Sequence, residues 1–168
     1  MGYDAETVEF FTHQYRIVGE AQLSGQRLTD VLNDDLESSL ELTDVQVFRL
    51  LPPSAVPATR TSALLYKDNI LFAIVGGTSA EAAVRGFYKR VDTSEWDVTV
   101  TIPSFELSGT LHVRGTGDLK AMLLSWAGQF IPLTRAKAVF ALYPEIAFSG
   151  DVIIVNRESI EVICTDRE

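Results

Sequence analysis

Laid over itself at an offset of about 90 residues, the chain of 168 residues repeats its own apolar spacing almost from end to end. Val8, Phe10 and Thr12 fall on Val98, Val100 and Ile102. Tyr15, Ile17, Gly19, Ala21, Leu23 and Gly25 fall on Phe105, Leu107, Gly109, Leu111, Val113 and Gly115. After one inserted residue, Leu28, Val31 and Leu32 meet Leu119, Met122 and Leu123, and Leu42-Thr43 meets Leu133-Thr134. Further on, Leu64, Leu65, Lys67, Asp68 and Ile70 meet Ile154, Val155, Arg157, Glu158 and Ile160. Few pairs are identities, but the glycines, the Leu-Thr step and the apolar rhythm keep their order. The period of two shared by all β-rich segments does not produce that order by itself. The chain therefore reads as one unit written twice: a first copy over about 8–75, a linker over 76–95 and a second copy over about 96–164, all within a single domain 1–168.

Within each copy the local structure follows from periodicity. Tyr15 to Leu23 and Phe105 to Val113 alternate apolar or small with polar residues, as a strand with one buried face does. Upstream the apolar set lies on even positions, and after His13-Gln14 or Pro103-Ser104 it lies on odd ones. A strand cannot change faces without an extra residue, so a bend, bulge or tight turn is expected at each junction. Leu28, Val31, Leu32 and Leu119, Met122, Leu123 are spaced i, i+3, i+4, which predicts two short helices, the second with Asp118 as its N-cap and Trp126 on its buried face. Strands are expected around Leu40–Leu51 and Gln129–Leu142, then over Ser62–Val75 and Asp151–Cys164. In the linker, Thr78-Ser79-Ala80-Glu81 fits a capping box, leaving a short helix and an extended segment as alternatives there.

The fold class expected is α+β and β-rich: two repeats related by a pseudo-twofold axis, each β–β–short α–β–β, forming one sandwich or small-barrel domain. A tandem pair of Sm- or SH3-like small barrels is the alternative. An apolar content of 46% supplies the core such a domain needs. The formal charge of −9 disfavours nucleic acid, whose affinity comes largely from Lys and Arg neutralising phosphates. That excess is uneven: residues 1–84 carry 12 acidic and 5 basic groups, residues 85–168 carry 11 and 9, so a cationic partner would meet the first half.

The longest apolar run, Ile70 to Val75, is far short of a bilayer crossing, so no membrane insertion is expected. The opening residues carry neither the basic nor the apolar stretch of a secretory signal, and a cytoplasmic location is the expectation.

The order Tyr15-x-Ile17-x-Gly19, then Arg27-Leu-x-Asp-x-Leu-Asn33, then Leu42-Thr-Asp-Val-x-Val47 resembles a pattern of uncharacterised bacterial proteins with a domain of unknown function. The second copy keeps Phe105-x-Leu-x-Gly109 and Phe130-Ile-Pro-Leu-Thr134, with Ala121, Leu124 and Arg135 in place of Asp30, Asn33 and Asp44. The resemblance implies no activity and no site.

Chemistry-bearing groups are sparse. His13 and His112 are the two side chains suited to proton transfer near neutral pH. They occupy unrelated positions in the two copies, and His112, between inward-facing Leu111 and Val113, is expected on the solvent face. Cys164, beside Val162 and Ile163, reads as a small buried hydrophobe, and one cysteine makes neither an internal disulfide nor a zinc site. Asn33-Asp34-Asp35 with Glu37 offers hard oxygens but lacks the alternating spacing of a calcium loop and reads as a helix stop, so no metal is expected. Gly115-Thr116-Gly117 has no Lys-Ser pair after it and reads as a loop. No serine sits in a nucleophile elbow.

Aromatics such as Phe72, Phe87, Tyr88, Trp96, Trp126 and Phe130 read as core or interface before ligand cages. Gly76, Gly77, Thr78 and Ser79, which follow a strand, together with Trp96 near the joint between copies, are the candidate ligand-binding residues. A duplicated fold with no preserved polar constellation favours a non-enzymatic interaction or assembly module, self-associating through strand edges or apolar patches and needing no cofactor. The alternative expected is a small-ligand sensor with its pocket between the copies.

Overall fold

The computed structural model describes residues 5–53, 55–76, 93–115 and 118–166. Its elements run β1 (Ala5–Phe11), β2 (Tyr15–Gln22), α1 (Leu28–Leu32), β3 (Ser39–Arg49), β4 (Ala58–Tyr66), a 3-10 turn (Lys67–Asn69) and β5 (Phe72–Val75). The same succession follows as β6 (Thr93–Ile102), β7 (Phe105–Arg114), α2 (Leu119–Ser125), β8 (Phe130–Phe140), β9 (Ala147–Asn156), a 3-10 turn (Arg157–Ser159) and β10 (Val162–Thr165). The capping box at Thr78–Glu81 lies outside the described residues.

The chain is β-rich, and its strands form one open antiparallel sheet in the order β10-β6-β7-β8-β9-β5-β1-β2-β3-β4, rather than a sandwich or a closed barrel. Among the described residues each half holds five strands, where four were expected, because the segments read as Ser62–Val75 and Asp151–Cys164 are each broken by a polar triplet. In those triplets the cation leaves the sheet to meet a helix end. The buried Lys67 donates from Nζ to the carbonyls of Val31 (2.7 Å) and Asp34 (2.9 Å), and Arg157 donates from Nη1 to Leu123 (3.3 Å) and Trp126 (2.7 Å). Cations satisfy the carbonyls a helix leaves unpaired at its C-terminus, so the chain must turn there before it can form another strand.

At the other end of α2, Asp118 caps the helix by accepting from the Lys120 N–H. Trp126 lies one residue beyond α2 and packs, partly buried, against the core of the second half.

Two cores lie on opposite faces of the central β9–β5 pair. Ala73, Val75, Val152 and Ile154 join Phe10, Leu42 and Val45 in the first. Phe72, Ile74, Ile153 and Val155 join Leu107, Leu133 and Phe140 in the second. Successive side chains of a strand point to opposite faces, so strands buried on both sides read as unbroken apolar runs. In the second core Phe11 stacks on Phe72 at 4.3 Å between ring centroids, and Phe105 meets both edge-on.

A twofold relation between the halves would carry the β9–β5 contact onto β4 and β10; those strands are instead the two ends of the sheet. Cys164, expected as a buried hydrophobe, is exposed, because β10 is a terminal strand and Cys164 lies on the row turned away from the core.

Both halves kink at a bulge opposite a glycine. The β2–β3 register shifts between Val18 and Glu20, facing Asp44 at φ +49°, and the β7–β8 register shifts between Ser108 and Thr110, facing Arg135 at φ +50°. A Cβ on Gly109 would stand 3.1 Å from both Ala136 Cβ and the Thr134 carbonyl, tighter than the 3.3 Å it would meet at Gly19. Gly109→Ala should therefore destabilise the fold by about 1–3 kcal/mol, as overpacking does. Gly19→Ala should cost less, a ranking that urea unfolding of the two variants reads directly.

Candidate functional site

The halves meet along a seam of four paired residues: Phe72 opposite Val155, Ala73 opposite Ile154, Ile74 opposite Ile153 and Val75 opposite Val152. Side-chain amides brace its ends. Asn156 donates from Nδ2 to the Ile70 carbonyl (2.9 Å). Asn33, the C-cap of α1, reaches into the other half, donating to the Phe130 carbonyl (3.0 Å) and accepting from the Phe130 N–H (2.7 Å). The amide of Asn33 thus takes the place of a strand residue beside the start of β8.

The two outermost strands lack such a neighbour. Among the described residues β4 pairs only with β3, and β10 only with β6. Exposed large hydrophobic side chains stand on them: Leu64 (62% exposed) and Tyr66 (57%) on β4, Val162 (51%) on β10. An edge strand with apolar side chains is a template for another strand, and proteins that avoid pairing normally blunt it with charge or proline. Beyond Arg60, the stretch of β4 from Thr61 to its end at Tyr66 carries neither.

Beside the β10 edge lies an open cleft of about 390 Å³, lined among others by Asp97, Thr99, Ser108, Thr110, Arg135 and Cys164. It sits on the outer face of β6, β7 and β10, not at the joint between halves. A polar network borders it. Arg135 donates from Nη2 to Glu95 (2.9 Å) and to the Thr110 hydroxyl (3.0 Å), and that hydroxyl donates to Asp97 (2.8 Å). With its cation engaged in this way, the cleft presents a mixed polar surface of hydroxyls and carboxylates.

His112 belongs to the same network and corrects the expectation that it faces solvent: it is 7% exposed. Strand alternation does place it opposite Leu111 and Val113, but that side of the sheet is covered as well, with Thr134, Arg135 and Glu95 gathered around the ring. Its Nε2 lies 2.7 Å from the Thr134 hydroxyl. That hydroxyl also lies 3.4 Å from the Thr110 carbonyl, and on the other side of the ring Nδ1 lies 3.9 Å from the Glu95 carboxylate.

The other residues singled out from the sequence are not brought together. Gly76 is exposed at the end of β5, and Gly77, Thr78 and Ser79 lie outside the described residues. Trp96 is buried in β6, its indole N–H donating to the Ser94 hydroxyl (3.3 Å), with β7, β8 and β9 between β6 and β5 in the sheet. His13 is exposed in the β1–β2 turn. Around Asn33–Glu37, Asp34 accepts from the Leu36 N–H, and among the described residues no group of three or more His, Cys, Asp or Glu could hold a metal. No helix among them is long and apolar enough to cross a membrane. Comparison with models of protein families, with curated proteins and with solved structures yields no match.

Burial pushes the His112 pKa below its ordinary 6.5; Glu95 opposes that shift and Arg135 adds to it. A histidine with a depressed folded pKa binds its proton more readily when unfolded. The stability it supports is complete above its unfolded pKa and drains away as pH falls below that value toward the folded one. His112→Gln, which installs the residue found at the matching position Gln22, should flatten the fall in melting temperature between about pH 7.5 and pH 5.5 relative to the unsubstituted protein. Equal acid slopes for the two proteins would contradict this role.

Proposed function

We infer that this chain is a non-enzymatic interaction and assembly module that associates with copies of itself through its terminal strands, and that it arose by tandem duplication of a five-strand unit. Duplication is supported by features that recur at matching positions. These are the glycine-faced bulges at Asp44 and Arg135, the helix-capping cations Lys67 and Arg157, and the left-handed glycines Gly25 and Gly115. The observation that carries the assembly reading is that both ends of the sheet are strands hydrogen-bonded on one side only, among the described residues, with large apolar side chains in solvent. Side-chain burial worth about 1.5–3 kcal/mol per large apolar residue is left unrealised at those ends in a single copy.

Light scattering after size exclusion tests this. The mass of the full chain should rise with concentration. It should rise further with added salt, because each copy carries −9 and salt screens the repulsion between copies. A mass that stays at one copy over all concentrations and salts overturns the reading. If that monomer also gained thermal stability from a metabolite pool, the small-ligand sensor, with the cleft beside Arg135 as its pocket, would take its place.

A further inference from the structure

Resting on that assembly reading, we propose that β4 of one copy pairs antiparallel with β10 of the next copy, in the register that joins β9 to β5 inside each copy. The internal seam supplies the template. Shifted by the repeat offset, Val155, Ile154 and Ile153 of β9 become Leu65, Leu64 and Ala63 of β4, and Phe72, Ala73 and Ile74 of β5 become Val162, Ile163 and Cys164 of β10. The transferred register sets Val162 opposite Leu65, Ile163 opposite Leu64 and Cys164 opposite Ala63.

The pattern of exposure follows the same template. Each strand of the internal seam sends one row of side chains into the core of its own half and the other row into the core of the opposite half. On β9, Ile153 and Val155 enter the second core and Ile154 the first; on β5, Ala73 enters the first and Phe72 the second. The outer strands have their first row in place: Leu65 is buried in the first core, and Ile163 packs partly buried against the second. Their other row stands in water, as Leu64 and Cys164 do, with Val162 half uncovered. These are the side chains that a neighbouring copy's core would receive. Leu124, 77% exposed, occupies the position that Asn33 fills where α1 braces the internal seam.

Because β4 and β10 are different surfaces, the contact is heterologous. Every copy offers one of each, so the assembly extends as an open filament or closes as a ring.

Two substitutions at exposed positions test the pairing. Leu64→Lys blocks β4 and Val162→Lys blocks β10, each by requiring a charge to be buried at the contact. Each variant alone should be a monomer by light scattering. Mixed in equal amounts they should give a dimer and nothing larger, formed by the intact β10 of the first and the intact β4 of the second. If Val162→Lys remains as associated as the unsubstituted protein, or the mixture stays monomeric while the unsubstituted protein associates, the β4–β10 pairing is wrong although self-association stands. A monomeric unsubstituted protein removes both. The register has its own readout, since Cys164 is the chain's one cysteine. Under mild oxidation Ala63→Cys should yield a ladder of disulfide-linked copies about tenfold faster than Ser62→Cys, whose thiol would stand on the other face of the paired strands. Equal rates would overturn the register.

Discussion

The rest of the structure depends on the alternation of side chains along β5 and β9. Neither β5 nor the Val152–Asn156 end of β9 has a solvent face, so each must send its odd and even residues into different cores. That constraint sets the composition of Ile70–Val75 and Val152–Val155 and the placing of the two cores on opposite faces. It also accounts for Phe10 and Phe11, adjacent in the chain, belonging to different cores. Among the described residues β4 pairs only with β3 and β10 only with β6, so the two outermost strands are left as ends.

Much of this was legible in the residues. Period-two alternation located β2 and β7, the i, i+3, i+4 triplets located both helices, and Asp118 caps α2 as its side chain suggests. The glycines that recur in both halves mark the bulges and turns. What escaped was information held in tertiary neighbours. Lys67 and Arg157 look like ordinary polar residues within apolar runs, and only the helix carbonyls they meet explain why the strands stop there. Alternation assigned His112 to the face opposite Leu111 correctly, but it carries no signal of whether that face is covered. Cys164 has apolar neighbours in sequence, yet its exposure follows from β10 being last in the sheet, which depends on strand order.

The candidate site was legible to a different degree. Exposed edges were anticipated as a class, whereas the particular strands depend on pairing partners that no local pattern encodes. Gly76 and Trp96 were drawn together because both flank the linker, and nearness in sequence does not imply nearness in a sheet that places three strands between them. The network around Arg135 was missed because its members come from three strands, Glu95 and Asp97, Thr110, and Arg135 itself, with the bulge turning the last of them outward.

The shared wall has a thermodynamic corollary. Each half owns a core of its own, which in most proteins is the mark of a unit able to melt alone. Here β5 belongs to the first half but lines the second core, and β9 does the reverse, so neither half can open without stripping a wall from the other. The two halves are thereby bound into one cooperative transition, and a calorimeter should register a single heat-absorption peak from a molecule with two interiors.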